Sequence, residues 1–260
     1  MTEVATTGPN QLADPSKLPQ ARQFSAQDIL VPKLLICQPT SDLGEDTPQG
    51  AFVRSTDQVV LGKEIDIIPL NSFRTWVIFE LTGSRPKFKR VEPCTFDNED
   101  LPWEFEEDGI PMRRDKVLNF YCLIPQDIER EKAAMASDDP DPDDALLPIV
   151  VSFSRTSYKV GKELTTHFAK IEKFRQANPN VSLYPSAFKL TTELQTNDQG
   201  KWYTYKIAGK EKSDTGHRAT CGEWHKIVTS GAAQVHEVDE SGSSATTGEA
   251  QKPNVDDVNF

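Results

Sequence analysis

Short apolar runs separated by polar and Pro-containing stretches limit the folds open to this 260-residue chain. Runs of this length that are rich in β-branched and aromatic side chains are typical of strands. Strands are predicted at 64–70, 75–81, 117–124, 147–153, 187–194 and 202–207. The first two and the last two are each separated by a short polar turn, which predicts two hairpins. Residues 29–37 are also apolar, but Pro32 predicts an extended segment or an edge strand with a break.

One helical pattern lies between the predicted strands. From near Thr156 to Pro179, apolar residues recur every three or four positions, as one face of an amphipathic helix requires. They are Val160, Leu164, Phe168, Ile171 and Phe174. Several short strands and one main helix predict a mostly β, α+β protein, and an OB-like antiparallel β-barrel with disordered termini is the leading topology. An α+β sandwich would give nearly the same pattern, so it stays open.

Composition divides the chain into one folded region and two tails. Residues 1–23 are polar and lack periodicity, which predicts a disordered arm, and 229–260 predict a disordered linker with an acidic tip. Residues 24–228 are predicted to form a single domain with acidic insertions at 94–116 and 137–147. The first insertion is predicted to be a loop. The second is predicted to be an exposed linker, because its Pro residues and repelling carboxylates oppose regular structure.

The charge is distributed unevenly along the chain. The net charge is −11, yet segments 51–93 and 148–228 together hold 20 basic and 12 acidic side chains, a balance of +8. A modestly basic body with acidic appendages is compatible with binding to a phosphate backbone. Four widely spaced cysteines without a CxxC pair indicate reduced thiols. Because the sequence also shows neither a long apolar run nor a signal peptide, a cytoplasmic location is expected.

The last residues combine carboxylates with an aromatic ring. Asp256, Asp257 and Phe260 follow a long polar segment of small residues, so they predict an accessible acidic peptide suited to a basic pocket on another protein. An ordinary solvated tail is the alternative. The arrangement resembles the C-terminal tip of bacterial and phage single-stranded-DNA-binding proteins, although Val258 and Asn259 depart from the usual bacterial ending. The resemblance implies an OB-type barrel that binds single-stranded DNA, and a tip that recruits replication and repair enzymes and competes with DNA for the basic groove.

Internal segments resemble a second group of proteins. Residues 29–38, 62–70 and 151–154 look like parts of uncharacterised phage proteins, over a region of about 28–210. Those proteins are often assumed to act in replication or recombination. The resemblance implies a phage protein in the cytoplasm of its bacterial host, and it names no site.

Basic and aromatic residues that occur together are the candidates for DNA contact. A cluster around Phe88, a Lys stripe on the predicted helix and the hairpin around Trp202 contain both cations and rings on which bases can stack. The candidates are Arg85, Lys87, Phe88, Lys89, Arg90, Arg155, Lys159, Lys162, Lys201, Trp202, Tyr203, Tyr205 and Lys206. Alternation in the hairpin leaves open whether Trp202 with Lys206, or Tyr203 with Tyr205, faces solvent. A solvated Lys face and a solubilising loop are the alternatives for the helix and the first cluster.

Enzymatic activity is not expected. The sequence lacks a nucleotide-binding loop, a nucleophile elbow and a nuclease-type acidic motif. His217, Cys221 and His225 recur every four residues and would share one side of a helix as zinc ligands, but no CxxC or HExxH motif accompanies them. No metal or other cofactor is therefore predicted. Two further functions stay open: a recombination annealing or mediator protein, and an acidic DNA mimic that inhibits a host protein through residues 94–147.

Overall fold

The structure is a computed structural model that describes residues 30–41, 46–83, 86–139, 141–179, 182–198, 200–229 and 234–235. The predicted α+β class is confirmed, since mostly antiparallel strands are accompanied by three helices in this part of the chain. The strands are β1 (Leu30–Val31), β2 (Leu34–Ile36), β3 (Phe52–Arg54), β4 (Val60–Gly62), β5 (Glu64–Glu80), β6 (Lys87–Pro93), β7 (Glu104–Glu107), β8 (Ile110–Leu123), β9 (Ile149–Phe153), β10 (Ser186–Asn197), β11 (Gly200–Lys212) and β12 (Gln234–Val235). The helices are α1 (Pro125–Met135), α2 (Tyr158–Ala177) and α3 (His217–Thr229).

The main sheet has seven strands. Its order is β11-β10-β5-β8-β7. In addition, β6 pairs with residues 75–80 of β5, and β9 pairs with residues 118–122 of β8. A second sheet has the order β2-β3-β4, and a short parallel pair joins β1 to β12. None of the helices in the described ranges is both long and apolar enough to cross a membrane.

The main sheet does not close into a barrel by backbone pairing within the described residues. Instead, side chains link β2 to the far edge strand β11. The Gln38 amide exchanges two hydrogen bonds with the backbone of Tyr203, at 2.8 and 2.9 Å, and the Tyr205 hydroxyl donates to the Leu34 carbonyl at 2.7 Å. On the other side, Val150 N donates to Pro32 O at 2.8 Å. The core is therefore enclosed by two sheets that meet along a seam, which consists of these hydrogen bonds between β11 and the segment around β2. This arrangement replaces the OB-like barrel predicted from the sequence.

The predicted hairpin at 64–81 is wrong, because β5 is one continuous strand. Residues 71–74 have the composition of a turn, but β8 pairs with them from Asn71↔Tyr121 to Arg74↔Leu118. In place of a turn, the β5–β8 pairing has a register shift between Pro69 and Asn71. A long partner strand supplies hydrogen bonds that outweigh the weak local preference of a polar segment.

The predicted loop at 94–116 is wrong in its second half. Asp108 and Gly109 both have positive φ, 52° and 78°, and Glu107 pairs with Ile110, so these residues form a two-residue hairpin turn between β7 and β8. Asp-Gly suits a turn in which both central residues have positive φ. Helices α1 and α3 were not predicted, whereas α2 and the β10–β11 hairpin are confirmed.

Three buried clusters hold these layers together. The largest lies between the two sheets and α2, and it includes Phe52, Phe120, Phe153, Leu164, Leu190 and Tyr205. A second packs beneath α1 and α3 and includes Val31, Leu123, Ile128, Cys221 and Val228. A third, smaller cluster consists of Trp76, Ile78, Cys94 and Met112. It lies in a four-stranded arm, which comprises residues 75–80 of β5, all of β6 and β7, and residues 110–117 of β8.

Candidate nucleic-acid interface

The arm has two faces with different chemistry. Side chains alternate along β5 and β8, so Trp76 and Ile78 point to one face, and Val77 and Phe79 point to the other. The first, here named the Trp76 face, carries the third buried cluster. The second, the Phe79 face, carries a transverse row of side chains, because Phe79 pairs with Phe88 of β6 and with Arg113 of β8.

Two arginines lie close to the Phe79 ring. The Arg113 guanidinium lies 5.4 Å from the ring centroid, and that of Arg155 lies 5.5 Å away. Both distances are within the range of a cation–π contact. Arg155 comes from the turn after β9, so three separate segments of the chain build this cluster. The result is an aromatic ring with two cations close to it, on a face where Phe88 adds a second half-buried ring.

Arg113 is largely buried and incompletely paired. Its Nε is 3.4 Å from Asp115 Oδ1, but Nε and Nη2 have no hydrogen-bond partner among the described residues. Burial lowers the pKa of the Arg113 guanidinium, the Asp115 carboxylate raises it, and the neighbouring Arg155 lowers it. These two donors are shielded from solvent, so Arg113 would act on an anion at the surface through its positive charge and not through a hydrogen bond.

Arg155 is held by its backbone and by Asp115. Its φ of +45° lies in the left-handed region, which non-glycine residues seldom adopt and which costs roughly 1–3 kcal/mol. Reciprocal hydrogen bonds between Ser154 and Ser157 fix the surrounding turn, at 3.0 and 2.8 Å. Asp115 accepts from Nε and Nη2 at 2.7 and 2.6 Å, yet the Arg155 side chain is 55% exposed. The guanidinium is thus oriented across Phe79 and still open to solvent.

The predicted cluster at 85–90 is divided by the structure. Phe88 lies on the Phe79 face, and the exposed Lys87 and Lys89 lie on the same edge strand. Arg85 lies outside the described residues. Arg90 pairs with Ile78, so it faces the other way, where it binds Glu92 at 2.6 Å and Glu107 at 2.8 Å. The Glu107 and Glu92 hydrogen bonds raise the pKa of Arg90. Arg90 therefore links β6 to β7 within the arm and is not part of the Phe79 face.

The predicted β10–β11 cluster forms a separate surface. Lys201 and Lys206 are exposed, and Lys206 is bound to Glu193 at 2.9 Å. Trp202 is half-buried and shares the alternating face of Lys206. Tyr205 is 8% exposed and is bonded to Leu34, so its assignment to a stacking surface is corrected to a core role. Tyr203 packs closely against Gly50, whose added Cβ would lie 2.6 Å from the tyrosine ring.

No described contact brings the lysines of α2, or the proposed zinc ligands, to the Phe79 face. Lys159 and Lys162 are exposed, and Lys162 lies 5.2 Å from the Tyr158 ring.

His217 bonds Glu129 at 2.6 Å, His225 bonds the Leu70 carbonyl at 3.0 Å, and Cys221 is fully buried. In the described ranges no three metal-ligating side chains converge, which corrects the zinc hypothesis. Asp256, Asp257 and Phe260 lie outside the described residues.

The sequence predicted Phe88 and Arg155 as separate candidates and missed Arg113. Phe79 belongs to the most apolar run, which favours a core position. Arg113 lies in the segment that was predicted to be a loop. The Asp108-Gly109 turn is the signal that could have revealed the β7–β8 hairpin and the alternation of Arg113 with Arg114. Arg114 stacks instead over Phe105, at 4.0 Å, on the Trp76 face.

A family model of phage proteins matches part of the chain. Residues 136–234 match the model described as "Pam3 phage gp34-like protein". The matched segment spans β9 to α3 and includes Arg155, while Phe79, Phe88 and Arg113 lie before it. No curated protein and no solved structure matches the chain. The family match covers less than half of the chain and indicates a bacteriophage protein.

Proposed function

We propose that this phage protein binds single-stranded DNA without sequence preference during phage DNA replication or recombination. The observation that carries the proposal is that the Arg113 and Arg155 guanidinium groups both lie over the Phe79 ring. Single-strand binders combine cations for the phosphates with rings for the bases, and neither contact depends on base identity. The basic balance of segments 51–93 and 148–228 supports the same proposal.

The residues of the Phe79 face have distinct roles in this proposal. Arg155, half-exposed and oriented by Asp115, binds a phosphate through its outward N–H groups. The buried Arg113 attracts the same negative charge electrostatically, from within the sheet. Phe79 and Phe88 present an apolar surface to an unpaired base or its sugar. Lys87 and Lys89 add positive charge at the edge of the arm, where Lys87 pairs with Glu80 and Lys89 lies 3.8 Å from it.

The C-terminal tip has a separate role in the proposal. Asp256, Asp257 and Phe260 recruit replication or recombination proteins and compete with DNA for the basic surface. This part rests on the resemblance of the tip to those of single-stranded-DNA-binding proteins. A variant ending at Val255 is expected to bind oligo-dT as tightly as the full chain, or more tightly. Weaker DNA binding by this variant would contradict the role given to the tip.

An oligo-dT titration with two matched arginine variants tests the proposal. Arg155→Gln removes a cation of the Phe79 face, and Arg175→Gln removes an equally charged side chain that also binds a carboxylate, Glu172, at 2.8 Å. Fluorescence anisotropy of a labelled oligo-dT is measured at several salt concentrations. Removing one phosphate-binding cation is expected to reduce the slope of log affinity against log salt by about 0.7.

We expect that reduction in Arg155→Gln and an unchanged slope in Arg175→Gln. Circular dichroism establishes that both variants are folded. The proposal fails if the full chain binds oligo-dT with no salt dependence, or does not bind it. Equal effects of the two substitutions would show that binding is a matter of overall charge and does not involve the Phe79 face.

A further inference from the structure

An acidic loop with three exposed apolar side chains covers the Trp76 face of the arm. This loop, residues 94–103, exposes 84% of Phe96, 43% of Leu101 and 54% of Trp103. Between 94 and 108 the chain has seven carboxylates and no Lys or Arg. Large apolar side chains that are exposed together and surrounded by polar groups mark interaction sites more often than scattered ones do.

Hydrogen bonds to the arm hold the loop in place. Trp76 Nε1 donates to Asn98 O at 3.2 Å, and Lys116 Nζ donates to Glu99 O at 2.8 Å. The Asn98 side chain bonds the loop to itself, accepting from Thr95 N at 2.8 Å and donating to Pro93 O at 2.9 Å. Because the backbone is anchored from the sheet below it, the outward apolar groups are preorganised, which lowers the entropic cost of binding a partner.

The carboxylates of this region divide into paired and unpaired groups. Glu99 binds Arg74, and Glu107 binds Arg90. Within the loop itself, the exposed Asp97 and Asp100 form no salt bridge among the residues that the structure describes. These two unpaired carboxylates are the sequence neighbours of Phe96 and Leu101, so the exposed apolar side chains have negative charge next to them. A complementary surface would carry positive charge beside an apolar centre.

We propose that residues 94–103 are a docking surface for a basic partner protein, which presents an amphipathic segment with Lys or Arg beside apolar side chains. Phe96 and Trp103 are the anchors, since buried aromatic residues carry most of the binding free energy in protein interfaces. The carboxylates select cationic partners and accelerate association. The loop bonds to the Trp76 face, whereas Arg113 and Arg155 lie on the Phe79 face, so the site is independent of the proposed DNA surface.

Two synthetic peptides probe this chemistry. One is an amphipathic helix of Lys and Leu, and the other has the same Lys positions with Ser in place of Leu. Isothermal titration calorimetry with the full chain is expected to give tighter binding of the Lys/Leu peptide. The double substitution Phe96→Ser with Trp103→Ser keeps every carboxylate, and it is expected to weaken that binding by about tenfold or more.

The controls separate this surface from general stickiness and from DNA binding. Phe174→Ser changes another exposed aromatic residue, on α2, and is expected to leave the affinity for the Lys/Leu peptide unchanged. Oligo-dT affinity is expected to be the same in the double variant and the wild type. The proposal is overturned if both peptides bind equally, if the double variant binds the Lys/Leu peptide normally, or if oligo-dT binding falls with it. It is also overturned if sedimentation shows that the loop instead joins two copies of the chain.

Discussion

The contact of α2 with β8 and β9 depends on Gly161. A Cβ atom at this position would lie 2.8 Å from Phe153 Cβ and 3.0 Å from Leu118 Cδ1. Phe153 is fully buried and Leu118 is 6% exposed, so neither has free space into which to move. The helix therefore lies closer to the sheet than any residue with a side chain allows. Since α2 follows the turn that holds Arg155, this contact also helps to position the Phe79 face.

Alanine at position 161 tests that contact, with Gly222→Ala as the matched control. Each substitution gains about 1 kcal/mol of helix propensity. At Gly222, in α3, an added Cβ has no atom within 4 Å, so the gain is expected to appear in full. At Gly161 the close packing opposes it at a cost of about 1–3 kcal/mol. The propensity term cancels between the variants, so we expect Gly161→Ala to be less stable than Gly222→Ala by about 1–3 kcal/mol.

Urea unfolding followed by circular dichroism measures this difference. The midpoint is expected to rise for Gly222→Ala and to stay or fall for Gly161→Ala, with a similar dependence of unfolding free energy on urea in all three proteins. Equal stabilisation by both substitutions would refute the reasoning, because it would mean that α2 can move away from Phe153 at no cost.

Two further predictions concern the seam and the buried ionisable groups. Gln38→Leu leaves the N–H and carbonyl of Tyr203 without partners, and is expected to lower the urea-derived unfolding free energy by about 1–3 kcal/mol; an unchanged value would mean that this seam does not stabilise the fold. Burial raises the pKa of Cys221 to about 12 and that of Tyr184 to about 12. Both groups ionise first in the unfolded chain, so their contribution to stability is present below pH 9 and is lost as the pH rises from about 9 to 12. Cys221→Val should reduce that decline in urea midpoints, and a flat profile for the wild type would contradict it.

Some residues of the candidate interface could be predicted from the sequence, but their assembly into one cluster could not. Phe88 could be recognised as a candidate because cations surround it in the sequence, and Arg155 because it lies just before the lysine-bearing helix. That they share one cluster with Phe79 and Arg113 depends on the β5–β6 and β5–β8 registers, which pair residues 9 and 34 positions apart. Tyr205 and Arg90 had equally good local patterns, but the fold places one in the core and the other among carboxylates.

Local patterns in the sequence were enough to predict the α+β class, the span of α2, the β10–β11 hairpin and the separation of acidic stretches from a basic body. These properties follow from the period of apolar residues and from composition, which are read within a short window. The three-dimensional structure was needed to show that β5 is continuous, that residues 104–116 belong to a hairpin, that two sheets meet at a seam, and that the arm has two chemically different faces. Each depends on pairing between distant segments, because the free energy that selects a register comes from burial and hydrogen bonds which no single segment contains.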